Sequence, residues 1–213
     1  MKHLYVEPLK GDGLNRSVKE VSVILDDVQK NVLNQTPWIE YGYLPSVHFA
    51  MAYDPGHIFL KYYVREKFIR AEQVVPNTAV CQDTCVEFFI SFDDGQTYYN
   101  FEFNCIGTML VGFGKRKANR DLLPEQVISH IKYQSLIHND MSGNIVHWEL
   151  TVAIPFTVFR YHQLDSLDGK KCRANFYKCG DSLPIPHYIT WSNIICPEPD
   201  FHLPEFFGTL QFL

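Results

Sequence analysis

The sequence predicts an all-β fold: a two-sheet antiparallel β-sandwich of jelly-roll type with one or two short helices. Three observations lead there. The chain of 213 residues carries 16 Phe and 12 Tyr, and aromatic side chains favour pleated, half-buried surfaces. Short runs alternate apolar and polar residues along most of its length. Turn chemistry such as Asp54-Pro55-Gly56 and Asp93-Asp94-Gly95 separates these runs. Around ten short strands with few helices point to sheets packed face to face.

The elements follow in order. Ser17 with Glu20 makes a capping box, and Val18, Val21, Leu25, Val28 and Val32 recur at helical spacing. That spacing predicts about four helical turns, or, because Val is so common in it, a strand with a loop. Trp38 sits in a turn-rich stretch between Pro37 and Pro45. Residues 47–53 and 58–65 flank Asp54-Pro55-Gly56 as a hairpin, and Val74-Val75-Pro76-Asn77 is a loop. Residues 85–92 and 98–106 form a second hairpin, with 108–114 a further strand. Polar residues and Pro124 place a loop and one short helical turn between Lys115 and Gln126. A third hairpin joins 131–137 to 145–154 across Asn139-Asp140-Met141-Ser142-Gly143-Asn144. Residues 172–178, 188–191 and 207–212 complete the strands. In the third hairpin, Trp148 alternates with Leu150, Val152 and Ile154, a core pattern.

Composition bounds the function. Hydrophobic residues make up 46% and charged residues 20%, a globular balance. The length suits one core, and no repeat, low-complexity tract or linker divides it, so one domain over 1–213 is expected. The net charge is −5 and no basic block is longer than Lys115-Arg116-Lys117, which argues against nucleic acid and anionic membranes as partners. No segment approaches the roughly 20 apolar residues of a membrane span. The N-terminal stretch lacks an apolar centre and a small-residue cleavage site, so the chain as written is expected in the cytoplasm. A leader already removed would instead make it secreted or periplasmic. Oligomeric state leaves no mark in the sequence.

The second hairpin has a register with consequences. Val86, Phe88, Ile90 and Phe92 alternate with Cys85, Glu87, Phe89 and Ser91; Tyr99, Phe101, Phe103 and Cys105 alternate with Tyr98, Asn100, Glu102 and Asn104. Burying the apolar set together pairs Val86 with Cys105, Phe88 with Phe103, Ile90 with Phe101 and Phe92 with Tyr99, across a loop of about four residues. Glu87 then falls opposite Asn104, and Glu102 opposite Phe89. This gathers two carboxylates, two carboxamides and Tyr98 on one polar face. It is either a hydroxyl-binding patch or the wet face of a sheet.

Six cysteines (81, 85, 105, 172, 179 and 196) are irregularly spaced. Cys81-x3-Cys85 and Cys172-x6-Cys179 lack the spacing of zinc knuckles, and free, mostly buried thiols are expected. Cys105 on the core face and Cys85 on the other are expected to be unbridged.

Several motifs carry a family resemblance. Gln82-Asp83-Thr84-Cys85-Val86-Glu87-Phe88-Phe89-Ile90 and Tyr98-Tyr99-Asn100-Phe101-Glu102-Phe103-Asn104-Cys105-Ile106-Gly107-Thr108 resemble family 9 carbohydrate-binding modules, and more closely the stand-alone family-9-like domains of gut anaerobes. Arg173-Ala174-Asn175-Phe176-Tyr177-Lys178-Cys179-Gly180-Asp181, Trp191 and Pro199-Asp200-Phe201-His202-Leu203-Pro204-Glu205-Phe206-Phe207-Gly208 fit the same pattern. The resemblance implies a non-catalytic β-sandwich in which two aromatic rings clamp a sugar and polar side chains bond its hydroxyls. Trp191 matches one clamp position and Glu87 a ligand-binding one. The other clamp position is Cys81, where the family has an aromatic ring, and Phe201 or Tyr177 is a candidate to compensate if the fold brings it alongside. The resemblance also implies structural calcium, although no EF-hand-like run of oxygen ligands is present.

The candidate carbohydrate-binding residues are thus Glu87, Glu102, Asn104, Arg173, Tyr177, Trp191 and His202. Each has a plainer reading: Trp191 as a core ring, Arg173 as an ion-pair partner of Glu87 or Glu102, His202 as the cap of its own loop. Arg116, Lys117 and Arg120 read as solvated loop surface. Two other functions stay open. One is a glycoside-acting enzyme using Glu87 and Glu102 as acid and base, for which no second catalytic element is visible. The other is a protein-interaction domain that has lost sugar binding. An open cleft beside Trp191 would keep the inherited clamp; a buried Trp191 would remove it.

Overall fold

The structure is a computed structural model and describes residues 1–9, 16–140 and 143–213. In chain order the elements are β1 (His3–Val6), α1 (Val18–Leu25), β2 (Asn31–Leu33), β3 (Ser46–Tyr53), β4 (His57–Glu66), β5 (Cys85–Ser91), β6 (Tyr98–Asn104), β7 (Met109–Gly114), β8 (Asp121–Leu122), α2 (Glu125–Ile128), β9 (Lys132–Asn139), β10 (Val146–Pro155), β11 (Lys171–Cys179), β12 (Tyr188–Thr190) and β13 (Gly208–Phe212). They form two packed sheets. One has eight strands in the order β1-β13-β11-β5-β6-β7-β8, with β12 added to β11; the other has five, β2-β3-β4-β10-β9. The mostly-β sandwich is as expected. Within the named strands the pairing is antiparallel except where β1 lies parallel to β13. Of the third hairpin's turn, Met141 and Ser142 lie outside the described residues.

The core fills the space between the sheets. Val86, Phe88 and Ile90 of β5, Phe101 and Phe103 of β6, and Phe176 of β11 face Phe49, Leu60, Tyr62, Trp148 and Leu150 from the other sheet. Phe49 stacks on Phe176 at 3.9 Å across the interface. Side-chain parity along each strand thus agrees with the alternation in the sequence.

Helix α1 covers the outer face of the five-stranded sheet. Its capping box is formed: Glu20 N–H donates to Ser17 Oγ at 3.3 Å, and Ser17 N–H to Glu20 Oε2 at 2.8 Å. Val21 and Leu25 pack over Ala50, Ala52 and Ala153, whose small side chains let the helix approach the sheet. The helix ends at Leu25, well short of Val32, which lies in β2. Asp26 and Asp27 would place two negative charges at the negative end of the helix dipole. Asp26 is instead drawn to the buried Lys61, 2.6 Å away.

The central hairpin corrects the expected register by two residues. Val86 pairs with Phe103, Phe88 with Phe101 and Ile90 with Tyr99, so Glu87 lies directly opposite Glu102, and Asn104 opposite Cys85. The connecting loop, 92–97, is correspondingly longer and builds its own scaffold. Asp93 Oδ1 accepts from Ser91 Oγ at 2.8 Å and Thr97 N at 2.9 Å, while Thr97 Oγ1 donates to Asp93 Oδ2 at 2.6 Å. Asp94 and Gly95 turn the chain at φ 58° and 90°. Alternation decides which face a residue takes; these loop bonds decide its partner.

Candidate ligand site on the outer face of the eight-stranded sheet

The polar face of the hairpin is not a wet face. Every residue of β5 and β6 is buried. A second apolar cluster, including Trp38, Phe89, Tyr98, Tyr177, Phe201 and Phe207, roofs it. Under that roof Glu87 and Glu102 face each other at 3% and 7% exposure. Glu87 Oε1 accepts from the Cys179 thiol at 3.1 Å, and Glu102 Oε1 from Asn100 Nδ2 at 2.9 Å. Burial raises the Glu87 pKa well above the ordinary carboxylate range, and the charge of Glu102 adds to the rise. Burial pushes Glu102 up to about 7 against the opposing hydrogen bond from Asn100.

One cation reaches the patch from the side. Arg120 Nε donates to Asn100 Oδ1 at 2.8 Å and Nη2 to Tyr98 O at 2.9 Å. Its guanidinium carbon lies 4.2 Å from the centre of the Tyr98 ring, a cation–π geometry. Arg120 is therefore no solvated loop residue, contrary to the sequence reading; Lys117 is exposed, as expected. Arg120 fits because Gly112, opposite Asn100 on β7, has no side chain. A Cβ there would stand 2.6 Å from Asn100 Oδ1 and 3.2 Å from Arg120 Nε. Gly112→Ala is expected to displace both groups and lower the unfolding free energy by about 1–3 kcal/mol. Urea denaturation checks this, and unchanged stability would show that the guanidinium is not held as described.

The other predicted site residues divide. His202 and Tyr177 join the patch. His202 Nδ1 lies 3.0 Å from the Tyr98 hydroxyl, and burial, then the charges of Arg120 and Lys117, lower its pKa to about 3, so the ring is neutral. Tyr177 is fully buried, stacked on Phe201 at 4.2 Å, with its hydroxyl on Phe201 O. Asn104 adjoins the patch but its amide is spent on the fold, bonding Gln73 O, Asp83 Oδ2 and Thr108 N. Arg173 lies away from both glutamates, with Nη2 on Phe207 O at 2.7 Å, so neither expected ion pair forms.

Trp191 is in the wrong place for a clamp. It is 3% exposed and sits in the inter-sheet core, edge-on to Phe49 and Phe176. Its backbone N–H donates to Phe176 O at 2.9 Å, continuing the β11–β12 register by one residue. Phe201, at 8% exposure, is roofing rather than open surface. Besides Arg120 and His202, Cys81, Asp181, Tyr188 and Tyr41 border the patch with accessible surface. Burial raises the Asp181 pKa, with hydrogen bonds to Cys81 and Tyr188 opposing the rise. Tyr188 meets Tyr41 edge-on at 4.8 Å. Neither Arg120 nor Tyr188 stood out in the sequence. The one signal was Gly112 inside a strand, a mark of close approach by another group.

Residues 18–212 match the sequence profile of carbohydrate-binding family 9. The chain belongs to that family. A Bacteroides uniformis protein described as a candidate carbohydrate-binding protein is 36% identical, with a TM-score of 0.92 over 100% of this chain and 99% of that one. A family 9 module of Caldicellulosiruptor kristjanssonii, solved with glucose, shares the fold at TM-score 0.65 and 13% identity, over 100% of this chain and 96% of its own. The same kind of module with cellotriose gives 0.63 and 12%, over 99% and 93%. No curated protein matches the sequence.

The family resemblance implied calcium, a hard ion that takes six to eight oxygen ligands. Among the described residues, the group of His, Cys, Asp or Glu side chains close enough to share an ion is Cys85, Glu87 and Cys179. Two sulfurs and one carboxylate do not fit calcium.

Proposed function

We propose that the chain binds carbohydrate, without catalysis, at the outer face of the eight-stranded sheet. Glu102 and Glu87 form the floor, and Arg120, Asp181, His202 and Tyr188 surround the approach. Family membership supports the class of ligand. The observation that carries the placement is the opposed pair Glu87–Glu102, buried without a cation in ion-pair contact among the described residues. Two carboxyl groups so placed weaken a fold that apolar side chains would serve better. Sugar hydroxyls would supply the missing donors, and Arg120 would donate to hydroxyl oxygens. Tyr188 takes the ring-stacking role that the resemblance implied for Trp191. Both sheets share one core, which supports a single domain over 1–213.

Calorimetry with glucose and cellotriose, backed by a glycan array, tests this reading. Glu102→Gln and Arg120→Ala are expected to weaken binding about tenfold or more, the loss of one charged hydrogen bond. Arg173→Ala, remote from the patch, is expected to leave it unchanged. No binding to any glycan would overturn the proposal. It would favour the interaction-domain alternative, which the burial of Trp191 and Tyr177 supports. An enzymatic reading has the two facing carboxyls, Glu87 and Glu102, in its favour, but the sequence offers no second catalytic element to accompany them. Sugar release from chromogenic glycosides, abolished in Glu87→Gln, would restore it.

A further inference from the structure

We propose that Cys85, Glu87 and Cys179 form a binding site for one thiophilic divalent cation of the zinc class. The sequence hides this site. Its two suggestive cysteine pairs, Cys81 with Cys85 and Cys172 with Cys179, are not the pair the fold makes. Strand register instead sets Cys179 directly opposite Cys85. Glu87 projects from the same face of β5, two residues on. The two sulfurs and a carboxylate oxygen lie within 4.8 Å of one another, and all three residues are buried. Cys179 Sγ is 3.1 Å from Glu87 Oε1.

The metric fits a small ion. With Zn–S near 2.3 Å and Zn–O near 2.0–2.2 Å, a tetrahedral centre holds its ligand atoms about 3.4–3.8 Å apart. The Cys179–Glu87 spacing of 3.1 Å is slightly shorter than that and the other two lie within 4.8 Å, so small side-chain rotations close the shell. The ligands stand on two paired central strands, a rigid support. Glu87 is also held from behind, where the Tyr62 hydroxyl of the other sheet donates to its carbonyl at 2.9 Å. Softness selects the ion, since two thiolates prefer zinc-class metals to magnesium or calcium. Charge points the same way. The nearest lysine along β11, Lys178, is turned to the opposite face and paired with Glu66 at 3.1 Å, and Arg173, on the same face as Cys179 but six residues away, is bonded to Phe207 O. Binding would displace the two thiol protons and the carboxyl proton to solvent. A water entering past the partly exposed Cys81 would take the fourth position.

The test needs no sugar, so it stands or falls apart from the carbohydrate reading. The full chain, purified with reductant and stripped with chelator, is titrated with cobalt(II) as a spectroscopic probe and then with zinc. One equivalent of cobalt is expected to give the thiolate-to-cobalt charge-transfer band and the intense visible bands of a tetrahedral site, both erased by zinc. Zinc at about 100 times its Kd is expected to raise the Tm by roughly 5–10 °C. Cys85→Ser and Cys179→Ser are each expected to abolish the band. Cys172→Ser, on a buried core thiol, and Cys196→Ser, on a partly exposed one, are expected to preserve it. Absence of the band and of the zinc shift in the unmutated chain would overturn the proposal without depending on any variant folding. So would a band that survives in a folded Cys179→Ser protein, or a Cys85–Cys179 disulfide formed in place of metal uptake.

Discussion

Replacing Lys178 with methionine is expected to lower the unfolding free energy by about 3–5 kcal/mol, the cost of a buried charge left without its partner. Lys178 Nζ lies 3.1 Å from Glu66 Oε2, both side chains being wholly buried. It also donates to Cys179 O and His187 Nε2, each at 2.8 Å. Glu66 Oε1 accepts from Trp148 Nε1 at 2.7 Å. His187 Nδ1, 3.1 Å from Ile185 O, then carries the ring proton and leaves Nε2 as acceptor. That tautomer agrees with a neutral ring, since burial, followed by the charge of Lys178, lowers the His187 pKa to about 3. The cluster joins β4 and β10 of one sheet to β11 of the other, so the loss falls on the packing of the two layers. Denaturant unfolding of the single variant and of Lys178→Met with Glu66→Gln decides the matter. The double variant is expected to recover at least half of the loss, because the stranded charge has gone. A single variant within about 1 kcal/mol of the parent would show that the charges are not coupled as described.

Trp191→Ala is expected to cost about 3–5 kcal/mol, the usual penalty for emptying an aromatic site in a packed interior. Sugar binding per folded molecule is expected to stay the same. The ring lies over Gly208, where an added Cβ would come within 2.3 Å of Trp191 Cζ3 and 2.8 Å of Lys2 O. The glycine thus makes the seat for the indole, and Lys2 Nζ lies 5.9 Å from the ring centre on its outer side. Thermal melting with glycan titration separates the two roles. A variant that keeps its Tm but loses sugar affinity would return Trp191 to the clamp. Trp191→Phe provides a milder version should the alanine variant fail to fold.

Much of the sandwich was legible in the sequence because alternation is a local signal. It assigns Val86, Phe88, Phe101 and Trp148 to the core, while the Ser17–Glu20 capping box marks a helix start. Alternation fixes parity but not phase, so by itself it matches Glu87 with Asn104, two residues from the Glu102 that it meets. The phase is held by Asp93, whose bonds to Ser91 and Thr97 depend on side-chain geometry rather than periodicity. Strand β1 leaves no local signal, because its partner β13 lies some two hundred residues away. The roof over the polar face is hidden for a related reason. Trp38, Phe201 and Phe207 come from loops or their margins, where no period marks what they cover. Arg120 looked solvated because its neighbours Arg116 and Lys117 are; only Gly112, eight positions earlier and two strands from Glu87 in the sheet, betrays where it goes.

The parallel pairing of β1 with β13 bears on how the protein is made. His3 to Val6 find their partners at Thr209 to Phe212, and Leu213 N–H closes on Val6 O at 3.0 Å. During synthesis β1 must wait until residues 209–212 have been added before its half of the ladder exists. Until then β11 also lacks its β13 neighbour. Contacts this distant in sequence slow folding, and an unpaired strand edge is an invitation to aggregation. Strand β13 therefore acts as a latch, and removing residues 208–212 would release β1 along with it.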